Sequence, residues 1–235
     1  MINLSQKLID GPLDVKISVL KSSKCQSMRL AYNSQADEFR LSVPRDAREF
    51  EIQSFLKRCE PWIEKQLSKP KPPVLCFGHG DIIPILGVGH RLSFERDPKK
   101  SIVFFEKYIR ITAPTGKFAS ILEDGLKDLA YKILYQRSFM MAEKLGIKIN
   151  SVTVKELRTR WGSCSSKKNL NFSWRLIFAP EHVVNYLCAH EVAHLVEMNH
   201  SPKFWKVVES LHPSYQFSKQ WLKAHGKKIM LLSFK

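Results

Sequence analysis

The hydrophobic pattern changes character along the chain. From residue 12 to 45, apolar and polar residues alternate in short runs, "DVKISVL", "MRLAY" and "FRLSVP", separated by turn-like "KSSKCQS" and "NSQADE". Period-two alternation bounded by turn residues predicts strands, read here as an antiparallel meander. "DAREFEIQSFLKRCEPWIEKQLSK" switches to helical spacing, with Asp46 as the expected N-cap and Pro61 as an expected kink or restart. "KPKPP" at 69–73 reads as a stiff connector, and residues 74–114 return to strand-like runs punctuated by Gly and Pro. No internal repeat stands out.

From about residue 118 the period becomes helical. "FASILEDGLKDLAYKILYQRSFMMAEKLG" predicts one long helix with Gly146 as its C-terminal stop. "SVTVKELR" reads as a strand, "WGSC" as a turn and "NLNFSW" as a second short strand. "APEHVVNYLCAHEVAHLVEM" is a strongly apolar helix with Pro180 near its first turn. A break at Asn199 precedes a further helix capped by Ser201 with Pro202 at its first position, and a last helix covers roughly 214–225. The expected architecture is therefore α+β: a β-rich region, 1–115, with one helix near 46–68, followed by a helical region, 116–235, with a small antiparallel sheet.

Composition narrows the class of protein. Apolar residues make up 44% of the 235, ordinary for a globular chain, and no apolar run is long enough to cross a bilayer. The N-terminal stretch lacks the basic start and apolar core of a signal peptide. Five scattered cysteines, Cys25, Cys59, Cys76, Cys164 and Cys188, contain no CxxC pair, so neither a disulfide framework nor a cysteine metal site is indicated. A cytoplasmic location, with no membrane partner, is the expectation. The net charge of +16 points to anionic partners, nucleic acid or nucleotides among them, without identifying one.

One helix carries chemistry. In "AHEVAHLVEMNHS", His190 and His194 are four residues apart and share a helix face, where two imidazoles can reach one metal ion. Glu191 sits on the neighbouring face, placed to hold a metal-bound water. This is the H-E-x-x-H pattern of zinc peptidases, which arises by chance in a chain of this composition about 2% of the time. Isolated polar groups within so apolar a helix would be costly to bury, so a joint purpose is indicated. A catalytic zinc takes three protein ligands and leaves one position open. Glu197, His200 and His212 follow the motif as candidates for the third. Glu197 would crowd the first two on one helix, and His212 ends the next helix. His200, just beyond the break, is favoured. His79, His90, His182 and His225 read as structural or solvated.

Upstream, Lys155, Arg158, Arg160, Lys167, Lys168 and Arg175 cluster with one opposing acid, Glu156. They form either a solvated basic surface or a positive rim beside the metal. Arg160, Trp161, Asn169, Asn171 and Arg175 are the candidate substrate-binding residues, and "NLNFS" is the candidate strand for pairing with an extended peptide.

"RTRWGSCSSKKNLNFSWRLIFAP" followed by "HEVAHLVEMNHSPKFW" resembles the YgjP-like metallopeptidase family, whose R-W-G-S-C, W-R-L, A-P, H-E-x-x-H and N-H-S-x-x-F-W elements stand here in order. That family is in turn similar to the SprT-like proteases that act on DNA–protein crosslinks. The resemblance implies a zincin-type fold in the C-terminal region, one Zn²⁺ on His190, His194 and His200, and Glu191 as general base. Val192 stands where Leu is common in the family. Three functions remain open: a zinc metallopeptidase, including one associated with nucleic acid; a metal-dependent phosphohydrolase acting on nucleoside triphosphates; and a nucleic-acid-binding module with a structural zinc. Glu191 argues against the last, since a structural site is closed by four ligands and needs no adjacent base.

Overall fold

The computed structural model describes residues 6–33, 38–68, 77–157, 159–230 and 232. Arg158, Cys76 and the expected connector at 69–73 lie outside them. The chain divides into two compact units, residues 1–73 and 74–235.

In the first unit, strands β1 (Gln6–Asp10), β2 (Lys16–Ser22), β3 (Arg29–Asn33) and β4 (Glu38–Pro44) form a sheet of order β1-β2-β4-β3. β2, β3 and β4 occur where alternation placed them and β1 lies ahead of the expected region, but the sheet is no meander. β2 and β4 pair in parallel, with Ile17 opposite Phe39, and β3 lies at the edge, antiparallel to β4. Alternation specifies which face a residue occupies, and leaves the strand's partner open. Ile17, Val19, Phe39, Leu41 and Val43 bury one face under helix α1 (Glu49–Leu67), which contributes Ile52, Leu56 and Ile63. α1 begins later than expected: Arg48 is its cap, and Glu51 Oε2 accepts the Arg48 N–H at 2.8 Å. The helix runs through Pro61.

The second unit opens with the same topology. β5 (Ile82–Ile85), β6 (Val88–Arg96), β7 (Ser101–Phe104) and β8 (Tyr108–Ala113) take the order β5-β6-β8-β7, with β6 and β8 parallel and Leu92 opposite Ile109. Helix α2 (Phe118–Lys144) then covers the sheet. Positions from β4 into α1 correspond to positions from β8 into α2. Phe39, Leu41, Val43, Pro44, Ile52 and Leu56 have counterparts at identical spacing in Ile109, Ile111, Ala113, Pro114, Leu122 and Leu126. The repeat is one of topology and burial, carried by interchangeable apolar residues, and so is faint in the sequence.

This second sheet packs with the C-terminal elements. The Leu86 N–H donates to the Ile177 carbonyl at 2.7 Å, and a Cβ on Gly125 of α2 would meet Ile102 of β7 at 2.6 Å. The composition change near 115 therefore falls inside the second unit, and the division lies at 73/74. Gly146, at φ +67°, closes α2 as expected.

The remainder surrounds one buried helix. β9 (Ser151–Lys155), β10 (Gly162–Cys164) and β11 (Asn169–Ser173) form a sheet of order β10-β11-β9, and "WGSC" contributes a strand, β10, where a turn was expected. The sheet is mixed rather than antiparallel, because β9 runs parallel to β11. A 3₁₀ turn, Trp174–Phe178, leads through Pro180 into α3 (Glu181–Ala193). Val183, Val184, Leu187, Cys188, Ala189, Val192 and Ala193 are all buried, as in a helix enclosed by neighbours. α4 (Pro202–Leu211) and α5 (Tyr215–Met230) complete the unit. Among the described residues the architecture is thus mixed α and β, with five α-helices and three small sheets. No described helix is long and apolar enough to cross a membrane.

Candidate metal centre

α3 ends sooner than its apolar pattern indicated. Ala193 is its last helical residue and His194 its C-cap; the Leu195 N–H turns back to the Val192 carbonyl, and the Val196 and Glu197 N–H groups to the Ala193 carbonyl. The chain then loops to Ser201, whose hydroxyl accepts the Phe204 N–H at 3.3 Å and caps α4. This loop returns His200 to the face that carries His190 and His194. The three imidazoles form a near-equilateral triangle, with ring centres 5.0, 5.0 and 4.8 Å apart. One ring nitrogen from each lies within 4.8 Å of the others. Phe204 is fully buried beneath them, its ring 4.9, 4.6 and 4.7 Å from His190, His194 and His200.

Hydrogen bonding orients the rings. His194 Nδ1 lies 3.2 Å from the Glu197 carbonyl, so it carries the proton and leaves Nε2 free for a ligand. Nε2 of His190 and Nε2 of His200 face each other at 3.1 Å. Burial, followed by the neighbouring histidines and Lys219, pushes His190 down to about 3, so its ring is neutral near pH 7. Burial also lowers His194, opposed by its bond to Glu197. Three imidazole nitrogens gathered within 4.8 Å of one another fit a cation: ligands about 2.0–2.1 Å from tetrahedral zinc stand roughly 3.4 Å from one another.

Glu191 lies beside this cluster and is 4% exposed, with Oε2 buried and without a hydrogen-bond partner. Burial pushes its carboxyl up to about 8, opposed by the nearby Arg160 guanidinium. Gly162 of β10 admits it: a Cβ there would come within 2.5 Å of Oε1. Cys164 on the same strand has its thiol raised to about 11 by burial and then by Glu191.

The other candidates separate. His212 Nε2 contacts the Ser218 hydroxyl at 3.0 Å, which also meets His182 Nδ1 at 3.0 Å, in a network distinct from the triad. Glu197 serves the centre through its backbone carbonyl. Arg160 is exposed and electrostatically coupled to Glu191. Trp161 packs against Gly226 of α5, and its carbonyl accepts the Ser173 N–H. Asn169 Oδ1 accepts from Asn150 Nδ2 and the Ser151 hydroxyl, while Asn171 Nδ2 donates to the Ser163 hydroxyl. Arg175 does not face a substrate. It is 5% exposed, ion-paired with Glu156, stacked 4.6 Å over Trp174 and bonded to the Leu232 carbonyl. The basic cluster of the sequence is thus divided: Lys155, Arg160, Lys167 and Lys168 are exposed, and Arg175 is internal. β11 lies between β10 and β9, so neither of its edges is open to a peptide.

The model of the family described as "YgjP-like, metallopeptidase domain" matches residues 26–225. The chain belongs to the YgjP-like metallopeptidase family. Membership identifies it as a metal-dependent peptidase, and hence as a hydrolase of protein or peptide substrates. No curated protein matches the chain. Among solved structures, the metallopeptidase zymogen of Pyrococcus abyssi abylysin is similar at 19% identity, over 40% of this chain and 96% of that one, with a TM-score of 0.36. The zymogen of Methanocaldococcus jannaschii jannalysin is similar at 22% identity, over 40% of this chain and 95% of that one, with a TM-score of 0.35. Sequence reasoning missed two residues beside the YgjP-like site. Lys219 and Tyr215 come from α5, too far along the chain for motif spacing to connect them to α3.

Proposed function

We propose that this YgjP-like protein is a zinc metallopeptidase of zincin type, in which His190, His194 and His200 hold one Zn²⁺ and Glu191 is the general base. The observation that carries the reading is the convergence of three imidazoles beside a buried carboxyl oxygen that has no partner. When bound, the metal supplies an activated water and polarises the attacked carbonyl. Glu191 takes a proton and delivers it to the leaving nitrogen, and Gly162 leaves its carboxylate room to reach in. The His194–Glu197 bond fixes one ligand's tautomer, and Phe204 holds all three rings in place.

The peptide docks on β10, which is the edge strand of its sheet and touches Glu191 through Gly162. An extended chain can add there by backbone pairing. Arg160, adjoining β10 and exposed, is placed to meet the bound chain.

Metal analysis of the purified protein, with hydrolysis of an unfolded protein substrate, tests the proposal. One zinc per chain is expected, with activity abolished by chelation and restored by zinc. Glu191→Gln should keep the metal and lose roughly 10²–10⁴-fold in kcat. Unchanged hydrolysis in that variant would exclude Glu191 as the base.

A further inference from the structure

α5 brings a second set of side chains to the triad. Trp205, the residue after Phe204, lies 5.9 Å from the rings of both His190 and His200. Tyr215 stacks on Trp205 at 5.3 Å, and Lys219 Nζ sits 4.1 Å over the same indole. A single aromatic ring therefore separates a fixed ammonium from two of the three imidazoles. Trp205, Tyr215, Gln216, Lys219, Gln220 and Lys223 line a depression of about 400 Å³. No carboxylate among the described residues lies within ion-pair distance of Lys219 or Lys223. Two cations and two amides thus surround an open space beside the reacting centre, with no carboxylate of the described residues paired to either cation.

We propose that this depression is a substrate subsite for a carboxylate, in which Lys219, held over Trp205, reads an acidic group on the peptide close to the scissile bond. The carboxylate is either an Asp or Glu side chain or a free C-terminus. Aromatic packing limits the ammonium's freedom while leaving its charge exposed, so less order is lost when the anion binds. Lys223, one turn along α5, adds to the field. The inference rests on the peptidase reading for its substrate, and on α4 and α5 for its geometry.

The test is a binding measurement. The full-length, zinc-loaded chain carrying Glu191→Gln is titrated calorimetrically with three alanine-based N-acetyl hexapeptides. One has a central Glu and a C-terminal amide, one a central Gln and a C-terminal amide, and one a central Gln and a free C-terminus. Binding of one carboxylate peptide about five- to tenfold tighter than the Gln amide is expected, with the preference shrinking as salt rises. Which peptide gains identifies the source of the carboxylate. In the same background, Lys219→Ala should abolish the preference, Lys219→Glu reverse it and Lys219→Arg restore it, while Lys148→Ala, of equal charge change, should keep it. Equal binding of all three peptides, or a preference that survives Lys219→Ala, overturns the subsite. Hydrolysis by the unmodified chain is read separately. A chain that cuts peptides without preference loses the subsite and keeps the peptidase reading; one that binds acidic peptides through Lys219 but cuts none does the reverse.

Discussion

Gly162 and Glu191 meet across two elements. The glycine is the first residue of the edge strand β10, the glutamate is buried in α3, and a Cβ on the former would sit 2.5 Å from Oε1 and 2.8 Å from Cδ and Cγ of the latter. The carboxylate reaches its position because position 162 has no side chain. Gly162→Ala should therefore displace Glu191, lowering kcat by about 10²-fold while zinc content stays at one per chain. Metal analysis beside steady-state kinetics checks this; an alanine variant with full activity would refute the positioning argument.

Metal should stabilise the fold, because the ligands come from α3 and the loop that joins it to α4. With free zinc about a hundredfold above Kd, the gain is near 3 kcal/mol, or roughly 5–10 °C in Tm. Thermal unfolding with chelator, and after zinc is returned, measures it. His200→Ala should lose most of this response.

Phe204 underlies all three imidazoles and is 0% exposed. Phe204→Ala should destabilise by about 3–5 kcal/mol and weaken zinc binding as well, since the rings lose their support. Ser201→Ala, which removes only the α4 cap, should cost about 1 kcal/mol. Denaturant unfolding and a zinc titration of both variants separate packing from capping.

Arg175 is structural. Its partner Glu156 is more than a third exposed, so the loss on removing the guanidinium is discounted from that of a fully buried pair. Arg175→Ala should destabilise by about 2 kcal/mol and leave KM for peptides unchanged once folding is complete. A raised KM at full stability would return Arg175 to the substrate.

Burial pushes the Cys188 thiol up to about 12, so at pH 8 it stays protonated and unreactive. Mass spectrometry after iodoacetamide treatment should find the half-buried Cys25 modified in the folded chain, and Cys188 modified only after denaturant is added.

Much of the fold was legible from local pattern. The helices that carry the centre, the Gly146 stop and the Ser201 cap with Pro202 behind it depend on contacts within a few residues, and they appear as expected. His190, Glu191 and His194 share one helix, so their spacing alone places them together. Several boundaries moved for reasons a local pattern does not hold. α3 stops at Ala193 although apolar residues continue, and Arg48 replaces Asp46 as the α1 cap.

The amino-acid sequence by itself determined where most of the strands and helices lie, and which helix holds two imidazoles and a carboxylate, because these follow from periodicities of two and 3.6 and from end signals. Tertiary structure alone decided strand partners, and with them the repeated β-sheet topology of the two units and the exposure of β10 rather than β11. It also decided that Arg175 turns inward to Glu156, while Lys219 comes over Trp205 beside the imidazoles. An alternating strand records which face is apolar, and a lysine records only its charge. What each one meets is set by the packing of segments distant in the chain, where burial and pairing are settled together.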